Sequence, residues 1–190
     1  MYLIAGLGNP SLKYKHTRHN AGFDALDFIA KQEGISVKKK KFLGLLGEGR
    51  IGEEKVFLLK PQTYMNASGE SIGMAVEALG IDPTKELIVL VDDTALDYGF
   101  IRVRPRGSSG GHNGLKNINA ILGTEDYLRV RIGVGKLPEG RDMIKHVLSR
   151  PAGEDYKRLV GIYPDVLEAC KLLLSGQTDV AMNTFNGKQR

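Results

Sequence analysis

Short apolar strand-like runs alternate along this chain with segments of helical periodicity, and that alternation is what most limits how it can fold. Tyr2–Leu7 is short, apolar and closed by Gly-Leu-Gly-Asn-Pro, the signature of a buried strand ending in a turn. Leu87–Val91 is a second such run, ending in Asp92-Asp93. Between and after them come helical patterns over Asn20 to about Glu33, Ser68 to about Leu79, Lys116–Leu122, Arg141–Ser149 and Glu154–Leu174. Ser68 is the expected N-cap of its helix, and Pro164 is the expected break in the last one. Leu43–Arg50 and Lys55–Leu59 form a predicted hairpin closed near Gly52. Phe100–Arg104 and Leu128–Val134 alternate Arg with Ile or Val, which predicts half-exposed strands with basic outer faces. Alternating strands and helices define an α/β protein. The hairpin argues against an all-parallel sheet, so the expected fold is a single domain over 1–190 with a twisted mixed β-sheet surrounded by helices. Residues 186–190 are expected to form a flexible tail.

Composition narrows the function classes. No apolar run approaches the ~20 residues of a membrane span, and the N-terminus lacks the basic leader of a signal peptide. The single cysteine, Cys170, excludes an internal disulfide and any metal site built on several thiolates. The cytoplasm is therefore the expected compartment. The formal charge of +5 suits a polyanionic partner without demanding one. The 24 glycines in 190 residues are about twice the usual share of ~7%, and they cluster where backbone must pass close to something.

In a sheet of this kind, ligands bind beyond the carboxyl ends of the strands, and three polar groups fall where strands are predicted to end: Gly8-Asn9-Pro10, Asp92-Asp93 and the loop from Gly107 to Gly114. Four clusters carry the chemistry. The first runs from Gly6-Leu-Gly-Asn9-Pro10 through Tyr14 to His16-Thr-Arg-His19-Asn20. It lacks the third glycine of a dinucleotide fingerprint, having Ser11 there. His19 lies on a loop just ahead of a helix, where it can reach a cleft or simply cap the helix. The second, Lys60 to Gly69, holds Asn66, whose amide can grip an ester or amide oxygen or serve as a turn residue. The third is Asp92-Asp93, where a carboxylate can orient a histidine or cap a turn. The fourth, Arg102 to Gly114, sets three arginines before a glycine-rich loop carrying His112 and Asn113, a plausible phosphate site with no Gly-Lys-Ser/Thr of a P-loop. There is no activated serine or cysteine motif and no set of metal ligands. Together the clusters favour general-base hydrolysis by water, without metal or cofactor.

The segments GLGNPSLKYKHTRHNAGF, KPQTYMNASG, the Asp-Asp turn before Gly99, RPRGSSGGHNGL and LRVRIGVG span residues 6 to 135. In that order and spacing the chain resembles bacterial peptidyl-tRNA hydrolase. The C-terminal third resembles that family in helical character only. The resemblance implies a monomeric cytoplasmic esterase that cleaves peptide from the 3′ ribose of tRNA and so recycles tRNA from peptides that leave the ribosome early. It implies peptidyl-tRNA as partner, with contact to stalled large ribosomal subunits as a further expectation, and no membrane. By position, His19 would be the base that activates water and Asp92 would hold and polarise it. Asn9, Asn66 and Asn113 would bind the peptide end and the water, with Asn9 telling blocked from free aminoacyl groups. Tyr14 and Tyr64 would line the channel for the tRNA end, and Arg104 and Arg131 would clamp phosphate. The family usually reads Asp-Asp-Leu-Asp-Leu-Pro where this chain has Asp92-Asp93-Thr94-Ala95-Leu96-Asp97. Counting back from Gly99 selects Asp92 as the histidine partner, with Asp93 the alternative. An RNA-binding module without catalysis and a nucleotide-dependent enzyme are the competing readings. Retention of His19, the aspartate and three asparagines weighs against the first, and the missing nucleotide motifs weigh against the second.

Overall fold

Residues 1–188 are described by a computed structural model. Seven strands build one sheet: β1 (Tyr2–Gly6), β2 (Lys39–Lys41), β3 (Gly44–Ile51), β4 (Glu54–Pro61), β5 (Leu87–Asp93), β6 (Ile101–Arg104) and β7 (Leu128–Gly133). Their order is β2-β3-β4-β1-β5-β7-β6. The central strands β4, β1, β5 and β7 run parallel, and β2, β3 and β6 add antiparallel edges, so the sheet is mixed as expected. Helices α1 (Ala21–Glu33), α2 (Ser68–Leu79), α3 (Pro83–Glu86), α4 (Asn113–Leu122), α5 (Met143–Val147), α6 (Glu154–Gly161), α7 (Tyr163–Leu174) and α8 (Thr178–Phe185) surround it.

Strand β1 is apolar along its length and β5 up to Asp92, because both faces of the sheet are covered there. Ile4, Leu58, Ile88, Leu90 and Val130 pack with Leu26 and Ile29 of α1 and Val166 and Leu173 of α7. Leu3, Ala5, Leu59, Val89 and Val91 face the other way, against Ile72 of α2 and Leu115 and Ile118 of α4. Period-two alternation thus feeds two cores from each strand. The start of α1 presses directly onto the sheet. A Cβ at Gly6 would collide with the Gly22 carbonyl, and one at Gly22 with the Leu90 carbonyl. Glycine at both positions sets the turn before α1 over the carboxyl ends of β1 and β5.

Several expectations are corrected. Strand β5 continues through Asp92 and Asp93, because Ile132 and Gly133 of β7 extend the ladder beside them. Ser68 is not an N-cap: Ala67 holds that position, and the buried Ser68 hydroxyl donates to the Met65 carbonyl at 2.7 Å. The basic strands are not symmetrically half-exposed. Arg129 is fully buried and Arg131 is partly so, because β7 lies inside the sheet between β5 and β6. Helix α4 begins three residues earlier than its periodicity indicates, so Asn113 is helical and His112 is its cap. Strand β2 and helix α3 are short and polar, and α8 is too short to show a strong apolar period. The C-terminal helical stretch does break near Pro164, which falls in the first turn of α7, where its missing N–H costs nothing. Asn186, the first residue of the expected tail, is anchored: its amide accepts from the Val103 N–H (2.7 Å) and donates to the Val103 carbonyl (3.0 Å), standing in for a further strand beside β6. Residues 189–190 of that tail lie outside the described residues.

Candidate active site

Asp92, near the end of β5, is the buried centre of the site. Its Oδ2 lies 2.9 Å from Nδ1 of His19, in the short helical turn Arg18–Asn20 just before α1. Its Oδ1 lies 2.9 Å from Nε2 of His112. Asp93, the alternative partner, points elsewhere: it accepts from the Ala95 N–H at 2.8 Å and faces Arg131 at 3.7 Å.

Hydrogen bonding distinguishes the two histidines. Nδ1 of His112 caps α4, accepting from the N–H groups of Gly114 (3.1 Å) and Leu115 (3.3 Å). That nitrogen is unprotonated, so in the neutral ring the proton is on Nε2 and is donated to Asp92. Both nitrogens of His112 are thereby engaged. His19 donates through Nδ1 to the same carboxylate, which leaves Nε2 as a lone pair at the cleft. Burial alone would raise the Asp92 pKa, but the two histidines hold the carboxyl well below the usual carboxylate range. Burial would lower the His19 pKa, yet the charge and hydrogen bond of Asp92 outweigh it and hold it above the ordinary imidazole value. His19, Asp92 and His112 converge closely enough to suggest a metal triad. The capping bond argues otherwise, because it makes His112 an N–H donor toward Asp92 where a metal needs a lone pair.

Asn9 is locked by its surroundings. Its main-chain N–H donates to Asn20 Oδ1 (2.8 Å) and its carbonyl accepts from Asn20 Nδ2 (3.0 Å). Its Oδ1 accepts from the Met65 N–H at 2.8 Å, so its amide can offer the cleft only its NH₂ group. Tyr64 adopts a left-handed φ of +62°, a strained conformation for a tyrosine, and its ring meets Tyr14 edge-on with centroids 6.4 Å apart.

Of the residues singled out in the sequence, His19, Asp92, Asn9, Tyr14, Tyr64, Asn66, Asn113 and Arg131 line one cleft of about 380 Å³. Asn66 and Asn113 are exposed at its rim. Arg104 lies outside it, exposed on β6 opposite Arg129. Sequence reasoning missed the apolar wall of Met143, Ile144, Val147 and Leu148, and the supporting role of Asn20. The adjacent apolar residues Met143 and Ile144 in an otherwise charged segment were the available signal for the wall. Nothing local marks Asn20, whose partner is eleven residues away.

The fold and the cleft define an α/β enzyme whose polar site lies at the carboxyl ends of parallel strands, with one open imidazole beside a buried carboxylate. Comparisons with known proteins name the family. The family model for peptidyl-tRNA hydrolase matches residues 3–190. A peptidyl-tRNA hydrolase of Agathobacter rectalis is 48% identical over 186 residues, covering 98% of this chain and all of that protein. One from Caldanaerobacter subterraneus subsp. tengcongensis is 48% identical over 187 residues, with 98% of this chain and all of that protein covered. The crystal structure of the Acinetobacter baumannii peptidyl-tRNA hydrolase superposes with a TM-score of 0.93 at 36% identity, covering 100% of this chain and 96% of that one. The chain belongs to the peptidyl-tRNA hydrolase family, whose members are hydrolases acting on ester bonds. Among the described residues, no helix is long and apolar enough to cross a membrane.

Proposed function

We propose that this chain hydrolyses the ester between a peptide, or an N-blocked aminoacyl group, and the 3′ ribose of tRNA, with His19 as the general base. The observation that carries the reading is the division of labour between the histidines: His112 has both nitrogens engaged, whereas His19 keeps Nε2 free at the cleft. Water held between His19 and the ester loses its proton to Nε2 as its oxygen attacks the carbonyl carbon. The tetrahedral intermediate then expels the ribose 3′ oxygen, which takes the proton back from the imidazolium. Asp92 stabilises that imidazolium and keeps the ring in its working tautomer. General-base assistance is worth ~10²–10⁴-fold, and positioning with amide donors at the oxyanion supplies the remainder.

The Asn9 NH₂ group donates to a carbonyl of a blocked substrate. A free ammonium offers it nothing to bind, which is the basis for sparing aminoacyl-tRNA. Asn66 and Asn113 hold the ends of the acyl group and the water, and Tyr14 and Tyr64 flank the 3′ end of the tRNA. Arg104 and Arg131 bind phosphate farther along the tRNA. The protein acts as a cytoplasmic monomer that returns tRNA to use after early peptide release, including on stalled large ribosomal subunits. The deciding assay is release of peptide from an N-blocked aminoacyl-tRNA, with free aminoacyl-tRNA as control. Cleavage of the blocked substrate alone supports the reading. Binding of tRNA with no cleavage replaces the esterase by an RNA-binding module.

A further inference from the structure

Arg129 is the largest fully buried side chain among the described residues, and no carboxylate pairs with it. Its guanidinium stacks on the Tyr127 ring, 4.1 Å from the centroid, and Nε is buried with no hydrogen-bond partner. Its other nitrogens donate to main-chain carbonyls: NH1 to Gly107 at 2.9 Å, and NH2 to Glu125 and Tyr127. Glu125, Asp126 and Arg131 are the charged groups around it. Taking a guanidinium with no ion-pair partner out of water is costly, so a methionine would be the cheaper core residue unless the donated bonds matter. The bonds to Glu125 and Tyr127 are local. The bond to Gly107 reaches 22 residues back, to the base of the glycine-rich loop.

That loop has few side chains with which to hold itself. Gly107, Gly110 and Gly111 all have positive φ, and a Cβ at Gly107 or Gly111 would meet nothing within 4 Å. Two arginines of β7 hold it, Arg129 at the Gly107 carbonyl and Arg131 at the Ser108 carbonyl (3.0 Å). The Ser109 carbonyl then accepts the His112 N–H at 3.0 Å, closing a turn, and His112 caps α4 and donates to Asp92. A continuous chain of bonds therefore runs from the buried guanidinium to the carboxylate.

We propose that Arg129 is a positioning residue of the active site: by anchoring the glycine-rich loop at Gly107 it sets the His112–Asp92 contact, and so the strength with which Asp92 holds His19. The inference rests on the esterase reading above. Its consequence has a definite sign. The N–H of His112 partly satisfies Asp92, so loosening that bond makes the carboxylate a stronger acceptor for His19 and raises the pKa of the base.

The test uses Arg129→Lys, which keeps the charge but loses the planar fork, and Gly107→Ala, which strains the anchor from outside the core. The first readout is the pH profile of kcat/KM on a short N-blocked aminoacyl ester. The second is amide-exchange protection of Gly114 and Leu115, the N–H groups capped by His112, in the full chain. Both variants are expected to move the acid limb upward, to lower protection at those two amides, and to reduce kcat by up to about a hundredfold. His112→Ala reproduces the upward shift, and combining it with Arg129→Lys adds little. An unmoved midpoint with intact protection at both amides, the rate falling only with the folded fraction, overturns the proposal and leaves Arg129 a stabilising residue. Failure of the esterase reading is distinguishable, because the unsubstituted chain would then release no peptide from the blocked ester at any pH, whatever the two amides do.

Discussion

Asp92 and Arg129 are both buried charges of the same ladder, three rungs apart, and they are held in opposite ways. Asp92 takes an N–H from each of two histidines, one of which opens onto the cleft. Arg129 donates to three main-chain carbonyls and makes no ion pair, with Glu125 and Asp126 only in its surroundings. A charge that a titratable partner can share is suited to chemistry, since moving one proton changes its surroundings. A permanent cation tied to carbonyls can only fix the backbone. In the proposed mechanism the chemistry belongs to the end of β5 and the scaffolding to the middle of β7.

The sharpest break in that comparison is His19→Ala. It should cost ~10²–10⁴-fold in hydrolysis while tRNA affinity and fold persist. His112→Ala is the matched control and should lose far less. If His112→Ala silences the enzyme and His19→Ala leaves it near wild type, the two rings exchange roles.

Asp92→Asn comes next, with a loss of about ten- to a hundredfold, because the base remains but its orienting charge is gone. The His19 pKa is held up by that charge, so the acid limb of the pH–rate profile should move down, the reverse of the shift expected for His112→Ala. Asp93→Asn should leave the midpoint in place. A downward shift in that variant instead would transfer the role to Asp93.

The arginines should separate more gently. Arg104 is exposed and clear of the cleft, so Arg104→Ala should raise KM for full tRNA substrates, leave kcat alone and flatten the log–log salt slope by up to ~1. Arg131 also holds the Ser108 carbonyl and faces Asp93. Its loss should add a modest fall in kcat, visible even on a short ester lacking the tRNA body. Equal behaviour of the two variants on that ester would remove the distinction.

Asn9→Ala carries the smallest expected effect. The ratio of cleavage rates for blocked and free aminoacyl-tRNA should fall roughly fivefold, the loss of about 1 kcal/mol from one hydrogen bond. A constant ratio with both rates lowered would make Asn9 a general positioning group.

Much of the site was legible because its residues follow strand ends. Asn9, Tyr64 and Asp92 each come just after, or at the end of, a run whose apolar character marks it as a central strand, His19 lies on the turn ahead of α1, and the topology gathers these positions on one side. The apolar wall was legible only as a helix over Arg141–Ser149, since a stretch that short does not say which face it turns to a cleft. Alternation of Arg with Val over Leu128–Val134 was misleading for a related reason. Period two states which residues share a face but not whether that face meets water.

The sequence by itself determined the elements and the chemical inventory: the apolar period of each central strand, the glycines that let α1 press on the sheet, a histidine on the turn ahead of it, and a carboxylate at the end of β5. Those are local properties, set by side-chain type and spacing. Only the tertiary structure decided that Asp92 and not Asp93 holds His19, that His112 is spent on capping α4, and that Arg129 lies in the core instead of on a basic face. Each of those depends on what packs across from a residue tens of positions away, and adjacent aspartates, or two arginines one residue apart, are told apart only when the sheet sends one side chain to a partner and the other elsewhere.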